Sequence, residues 1–101
     1  YNNIKTIQKD LFKGLTYSLK KLEFSGNRLT EIKPFTFANL TNLEKLSLNH
    51  NNIAKLNKNS FYDLVNLKLL DLYDNQLKEI KPFKFERLIN LKELNIYKNQ
   101  I

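Results

Sequence analysis

An internal repeat of 24 residues constrains this chain more than any other feature of its sequence. Sliding the sequence against itself by that length aligns leucines, phenylalanines and asparagines in fixed columns. A helical bundle would show a period of about 3.5 residues and would not need asparagine at a fixed phase. One unit cannot bury its apolar side chains alone, so the sequence predicts a stack of similar coils. The unbroken asparagine column comprises Asn27, Asn51, Asn75 and Asn99.

The repeat divides the 101 residues into a single array with a partial first unit, 1–18, and three full units, 19–42, 43–66 and 67–90. Residues 91–101 begin a further unit. The first unit, with Asn2 in the asparagine column, aligns at a shift of 25, so we expect one extra residue around 16–18. Because the array starts and stops inside a unit and lacks caps, we expect a fragment of a longer protein that self-associates through its exposed ends.

Within each unit, alternation such as Leu46-Ser47-Leu48 predicts a short strand with leucine inward and serine outward. The asparagine that follows can bridge backbone groups that lose their partners where the chain turns. Pro34 and Pro82 occupy equivalent places in the return limb and favour loose turns there. Removing an inward asparagine or leucine should therefore destabilise the fold. We expect the aligned phenylalanines to stack as a spine: Phe37, Phe61 and Phe85.

The pattern Leu43-x-x-Leu46-x-Leu48-x-x-Asn51-x-Ile53 resembles the leucine-rich repeat family. Its length resembles the "typical" extracellular class found in Toll-like receptors, Slit-type proteins and small leucine-rich proteoglycans. The resemblance implies an α/β-solenoid, a right-handed coil with one parallel β-ribbon of about four short strands on the concave face. It also implies a convex side made mostly of loops or short turns.

In this family the outward strand positions usually meet a protein ligand or co-receptor. The resemblance therefore implies a partner-binding concave face made of three outward positions in each of four strands. Mapped onto this sequence, those positions are Lys21, Glu23, Ser25, Lys45, Ser47, Asn49, Leu69, Asp71, Tyr73, Glu93, Asn95 and Tyr97.

Three of these positions stand out, because Tyr73 and Tyr97 are 24 residues apart and Leu69 lies nearby. Exposed aromatic rings on a rigid sheet favour a binding hot spot. Cross-strand packing of the two tyrosines is the alternative. Phe35 and Phe83 also leave two interpretations open, either packing into the return limb or forming an exposed apolar strip.

The formal net charge is +7, with 17 Lys and Arg against 10 Asp and Glu. The concave positions carry both signs, which argues against a phosphate-binding groove and against specific nucleic-acid binding. The other lysines are scattered through the turns. They predict either an ordinary solvated surface or weak polyanion binding, to a heparin-like chain or an anionic lipid surface, through the convex side.

The composition excludes most site chemistry. The chain has no cysteine, which excludes disulfides and cysteine-ligated metals, and its single histidine cannot form a two-histidine zinc site. Two glycines make no phosphate-cradling loop, and no apolar run is long enough for a membrane span. His50 lacks a triad partner in the sequence, and a flat ribbon implies no cleft. We therefore expect a protein that is not an enzyme and has no cofactor.

These expectations combine into non-enzymatic protein–protein recognition in an extracellular or receptor-ectodomain setting, of innate-immune or adhesion type. A structural spacer in a longer array, with the binding surface elsewhere, is the alternative. Asn39-Leu40-Thr41 is the single Asn-x-Ser/Thr sequence, so Asn39 is a candidate for glycosylation if the protein is secreted. The expected location is extracellular or at the cell surface, and an intracellular one stays open.

Overall fold

The protein is described by a computed structural model that covers residues 3–8 and 10–101. The predicted place of Asn2 in the asparagine column lies outside the described residues. We number the coils by the predicted repeat, so that coil 1 is 1–18, coil 2 is 19–42, coil 3 is 43–66, coil 4 is 67–90 and coil 5 is 91–101. The described part of the chain forms a solenoid-like α/β repeat fold of mostly parallel strands with almost no helix.

Four short strands, one from each of coils 2 to 5, form a single parallel sheet. They are β1 (Lys21–Glu23), β3 (Lys45–Ser47), β5 (Leu69–Asp71) and β6 (Glu93–Asn95). The order is β1-β3-β5-β6, and Leu22, Leu46, Leu70 and Leu94 lie opposite one another in register. The predicted parallel ribbon with a 24-residue register is confirmed. We call the face of this sheet that points away from the core the concave face, and the opposite limb the convex side.

The convex side holds a second, smaller sheet that the sequence did not predict. It pairs β2 (Glu31–Ile32) with β4 (Lys55–Leu56) in parallel, so the expectation of a single ribbon is incomplete. The rest of the convex side consists of turns, as expected, with one 3-10 helix at Pro82–Phe85. The proline stands in the first turn of that helix, where its missing N–H costs no hydrogen bond.

The repeated leucines and phenylalanines fill one core shared between the coils. Leu46 and Leu70 are fully buried, as is Phe37. The predicted phenylalanine spine forms in pairs rather than continuously. Phe61 stacks on Phe85 with ring centroids 5.9 Å apart, and Phe12 packs on Phe37 at 6.2 Å. Burial of these large side chains against neighbouring coils supplies most of the free energy of folding.

The inward asparagines join neighbouring coils through the backbone, as predicted. Oδ1 of Asn51 accepts from the N–H of Leu29 at 3.1 Å, and its Nδ2 donates to the carbonyls of Phe24 and Leu48. Asn75 and Asn99 repeat this pattern one and two coils later. Because Asn51 is only 7% exposed, losing it would leave several backbone groups buried without partners.

A second asparagine column reinforces the opposite edge of the coils. Nδ2 of Asn42, Asn66 and Asn90 each donates to the carbonyl 25 residues earlier in the chain, at 2.7–2.9 Å. The sequence shows this column, but its hydrogen bonds are seen only in the structure.

The extra residue of coil 1 is accommodated where it was expected. The N–H of Leu19 donates to the carbonyl of Leu15, four residues back, whereas in coil 2 Leu43 bonds to Leu40, three residues back. A wider turn at 16–18 thus absorbs the additional residue and keeps the following strand in register.

Phe35 and Phe83 are 51% and 46% exposed, so the interpretation that packs them into the core is wrong. Their backbones also differ although their local sequences match. Phe35 has a left-handed φ of 62°, while Phe83 lies in the 3-10 helix. Phe35 packs edge-on against Tyr62 of coil 3, with centroids 5.0 Å apart.

Candidate functional site

The concave face brings together all twelve positions predicted for it. They lie on or just after the four parallel strands, and the register places Lys21, Lys45, Leu69 and Glu93 in one row across the sheet. The row Glu23, Ser47, Asp71 and Asn95 runs parallel to it. Ser25, Asn49, Tyr73 and Tyr97 follow directly after the strands, and none of the twelve is buried. Their role in binding stays a prediction.

Polar groups tie the concave face together from β1 to the turn after β5. The hydroxyls of Ser25 and Ser47 lie 3.1 Å apart, and Asn49 donates through Nδ2 to Asp71 at 2.8 Å. The other oxygen of Asp71 accepts from the backbone N–H of Tyr73 at 3.0 Å. These contacts hold the polar side chains in fixed positions, so a partner would meet a preorganised surface rather than mobile groups.

The half formed by β5 and β6 carries the apolar and aromatic area. Tyr97 is 77% exposed, and Leu69, on the neighbouring strand and two rows away, is half-buried. Tyr73 packs its ring edge-on against His50, with centroids 5.5 Å apart, and Lys98 lies 5.9 Å from the same ring. Among the described residues no ring contact joins Tyr73 to Tyr97.

A row of turns, one after each of the four strands, borders the concave face. Gly26, His50, Asp74 and Lys98 precede the four inward asparagines, and all have left-handed φ values between 55° and 68°. Nδ1 of His50 lies 2.7 Å from a carboxylate oxygen of Asp74. The backbone N–H of Asp74 donates to the carbonyl of Tyr97, which aligns the two turns. This pair was not predicted from the sequence, although the 24-residue spacing from His50 to Asp74 is the signal that indicates it.

The polar side chains of the site lie on an exposed sheet face. His50 and Asp74 form a partly exposed pair at the border of the concave face, and the described residues contain no cluster of three metal-ligating side chains. Within residues 3–8 and 10–101, no helix is long and apolar enough to cross a bilayer. Asn39, the predicted glycosylation site, is exposed on the convex side, where its backbone N–H donates to Asp63 at 2.8 Å.

Comparison with known proteins identifies the repeat. The family model described as "Leucine rich repeat" matches residues 1–53 and again 17–77, and the model described as "Leucine Rich repeats (2 copies)" matches residues 65–101. A search of curated proteins finds no match. Leucine-rich repeat domains are generally protein-interaction modules and are typically not enzymes. Two overlapping matches and a third at the carboxyl end cover the chain, which belongs to the leucine-rich repeat family.

Proposed function

We propose that this protein recognises another protein through its concave face, with the aromatic half as the main contact. The 77% exposure of Tyr97, which aligns with Tyr73 just after the neighbouring strand of the four-stranded sheet, is the observation that carries the proposal. A tyrosine on a rigid backbone offers apolar area and a hydroxyl at low entropic cost, which is why tyrosine is enriched in interface hot spots. Asp71 and Glu93 add carboxylates to the same half of the face.

The test is site-specific photo-crosslinking in the cells that make the protein. A photoreactive residue at Tyr97 should capture a defined protein, while the same residue at the exposed convex position Lys58 should not. Equal capture from both positions would contradict recognition by the concave face. No capture from either would favour the alternative in which this segment is a structural spacer in a longer array.

The purified captured protein then allows a quantitative check. Tyr97→Ala and Leu69→Ala should each weaken its binding by about tenfold or more, since hot-spot truncations cost that much. Because Tyr97 is mostly exposed, its substitution should leave the melting temperature nearly unchanged. Lys58→Ala is the matched control and should alter neither quantity.

We also propose an extracellular or cell-surface location and a recognition role of innate-immune or adhesion type. The likeness of the 24-residue repeat to the extracellular class and the exposure of Asn39 support this. The protein recovered from its native source should lose mass on endoglycosidase treatment, and Asn39→Gln should abolish that loss. An unmodified protein recovered only from the cytosol would contradict the location.

A further inference from the structure

Coils 3 and 4 separate on the convex side, where coils 2 and 3 stay joined. Between coils 2 and 3, backbone pairing continues through Ala54, β4 and the N–H of Phe35, which donates to Asn59 at 2.9 Å. Between coils 3 and 4, the backbone N–H of Gln76 donates to the carbonyl of Ile53 at 2.8 Å. The backbone of residues 78–81, further along the chain, makes no hydrogen bond to the backbone of coil 3. The two limbs therefore leave an open gap.

Two residue differences explain why only one of these junctions closes. In coil 3, Asn57 donates through Nδ2 to the carbonyl of Ile32 at 2.8 Å, and Ser60 donates to the same carbonyl. Ser60 also accepts from the N–H of Asn57 at 2.8 Å. Lys81 and Lys84 stand at these positions in coil 4. The ammonium group of a lysine cannot accept a hydrogen bond, as the hydroxyl of Ser60 does. A lysine is also rarely buried as Ser60 is, so the hydrogen bonds that join coils 2 and 3 cannot form between coils 3 and 4.

The resulting groove has an apolar floor and a basic rim. Its volume is about 500 Å³, and its floor includes Leu56, Leu77, Ile80 and Phe85. Four lysines surround it, while Glu79, its one carboxylate, is 3.5 Å from Nζ of a rim lysine. These rim lysines are Lys55, Lys78, Lys81 and Lys84.

The walls of the groove also offer backbone groups. Strand β4 is the outer strand of a two-stranded sheet, so its side facing coil 4 has no strand partner. Opposite it, Glu79 and Ile80 align with β4 by the repeat but pair with no strand. A free strand edge is the feature that an extended peptide recognises through its main chain.

We propose that this groove between coils 3 and 4 binds an extended acidic peptide segment of a partner protein, with apolar side chains between the acidic ones. The rim lysines attract the carboxylates, the floor takes the apolar side chains, and the edge of β4 pairs with the peptide backbone. A sulfated polysaccharide would use the rim alone, and an anionic lipid bilayer could not reach a recessed floor. The groove lies on the convex side, so the proposal does not depend on concave-face recognition.

The first experiment measures binding of a short synthetic peptide of alternating glutamate and leucine to the full chain. We expect chemical-shift changes at residues 54–56 and 77–85, and binding that weakens as salt is raised. A peptide with glutamine in place of glutamate, and a polyglutamate peptide of equal length, should both bind more weakly. Equal binding of polyglutamate, of heparin fragments or of phosphatidylserine vesicles, with no shift changes at the floor, would overturn the peptide proposal in favour of a general polyanion surface.

The second experiment closes the groove. The double variant K81N/K84S places in coil 4 the two side chains by which Asn57 and Ser60 join coil 3 to coil 2, so that coil 4 can bond to coil 3 in the same way. It should bind the peptide at least about tenfold more weakly. K55Q/K78Q keeps the gap and removes two of the four rim lysines, so its binding should lose about half of its salt dependence. Lys58→Gln lies outside the groove and is the control. Undiminished binding by K81N/K84S, with its fold confirmed by circular dichroism, would overturn the proposal.

Discussion

The backbone N–H of Ile53 donates a hydrogen bond to Oδ1 of Asn75 in the next coil, at 2.9 Å. The side chain of Asn75 also donates through Nδ2 to the carbonyls of Leu48 and Leu72, at 3.0 and 3.1 Å. One buried side chain thus satisfies three backbone groups in two coils. Local turn geometry and the contact between coils therefore depend on the same residue.

We expect Asn75→Ala to lower the free energy of unfolding by about 3 kcal/mol, because it leaves buried backbone groups without partners. Asn75→Asp should also be destabilising, since a carboxylate cannot donate to the two carbonyls. Chemical denaturation measures both changes. Gln76→Ala alters the exposed neighbouring residue and should change stability by less than about 0.5 kcal/mol. Similar losses for Asn75→Ala and Gln76→Ala would contradict the role given to the asparagine column.

Two phenylalanines on the convex side differ in exposure, which gives a second comparison. Phe37 is fully buried and Phe83 is 46% exposed. Phe37→Ala should therefore cost about 4 kcal/mol of stability, by lost burial and a cavity, whereas Phe83→Ala should cost less than about 1 kcal/mol. Thermal and urea unfolding of the two variants and the native chain measures both losses of stability. A large loss for Phe83→Ala would mean that its ring packs against the core.

Backbone strain can be tested separately from packing at Gly14. This glycine has a φ of 84°, and a Cβ added there would meet no atom within 4 Å. Gly14→Ala should thus cost about 1 kcal/mol purely from the left-handed conformation. Gly14→Asn should cost less, because asparagine tolerates this region, as Asn39 does at the equivalent position of coil 2 with a φ of 69°. Equal stability of the alanine variant and the native chain would show that Gly14 can adopt another conformation.

The repeat alone was enough to predict the sheet, its register and the inward asparagines. Each of these features recurs at the same phase in several coils, so Leu46 and Asn51 are supported by equivalent residues before and after them. In a stack, each coil needs an inward leucine or asparagine at the same position as its neighbours, so these residues recur in columns that the sequence alone reveals.

Features that depend on which residues the neighbouring coil carries at one position were not predictable from the repeat. Phe35 and Phe83 sit in almost the same heptapeptide, yet the N–H of Phe35 bonds to Asn59 of coil 3 and its backbone becomes left-handed. The ring of Tyr73 likewise packs on His50 rather than on Tyr97. Both outcomes depend on contacts between residues at different positions of the repeat. Aligning the repeats shows only which residues share a position, so it does not predict these contacts.

The junction of coils 2 and 3 should show strong coupling between Asn57 and Ser60. Both donate to the carbonyl of Ile32, and the hydroxyl of Ser60 also accepts from the N–H of Asn57. Ser60→Ala should cost about 1–2 kcal/mol, since it leaves the N–H of Asn57 without its partner.

Once either residue is replaced, the remaining one keeps only part of this network. The double variant N57A/S60A should therefore lose less stability than the two single losses added together, by about 0.5 kcal/mol or more. A double-mutant cycle by urea denaturation measures this difference. Thr36→Ala, which removes an exposed hydroxyl at the equivalent position of coil 2, should show no coupling to Asn57→Ala. Strict additivity at the pair Asn57 and Ser60 would show that the two side chains act independently, and that the closure of this junction depends on the backbone pairing of β2 with β4 instead.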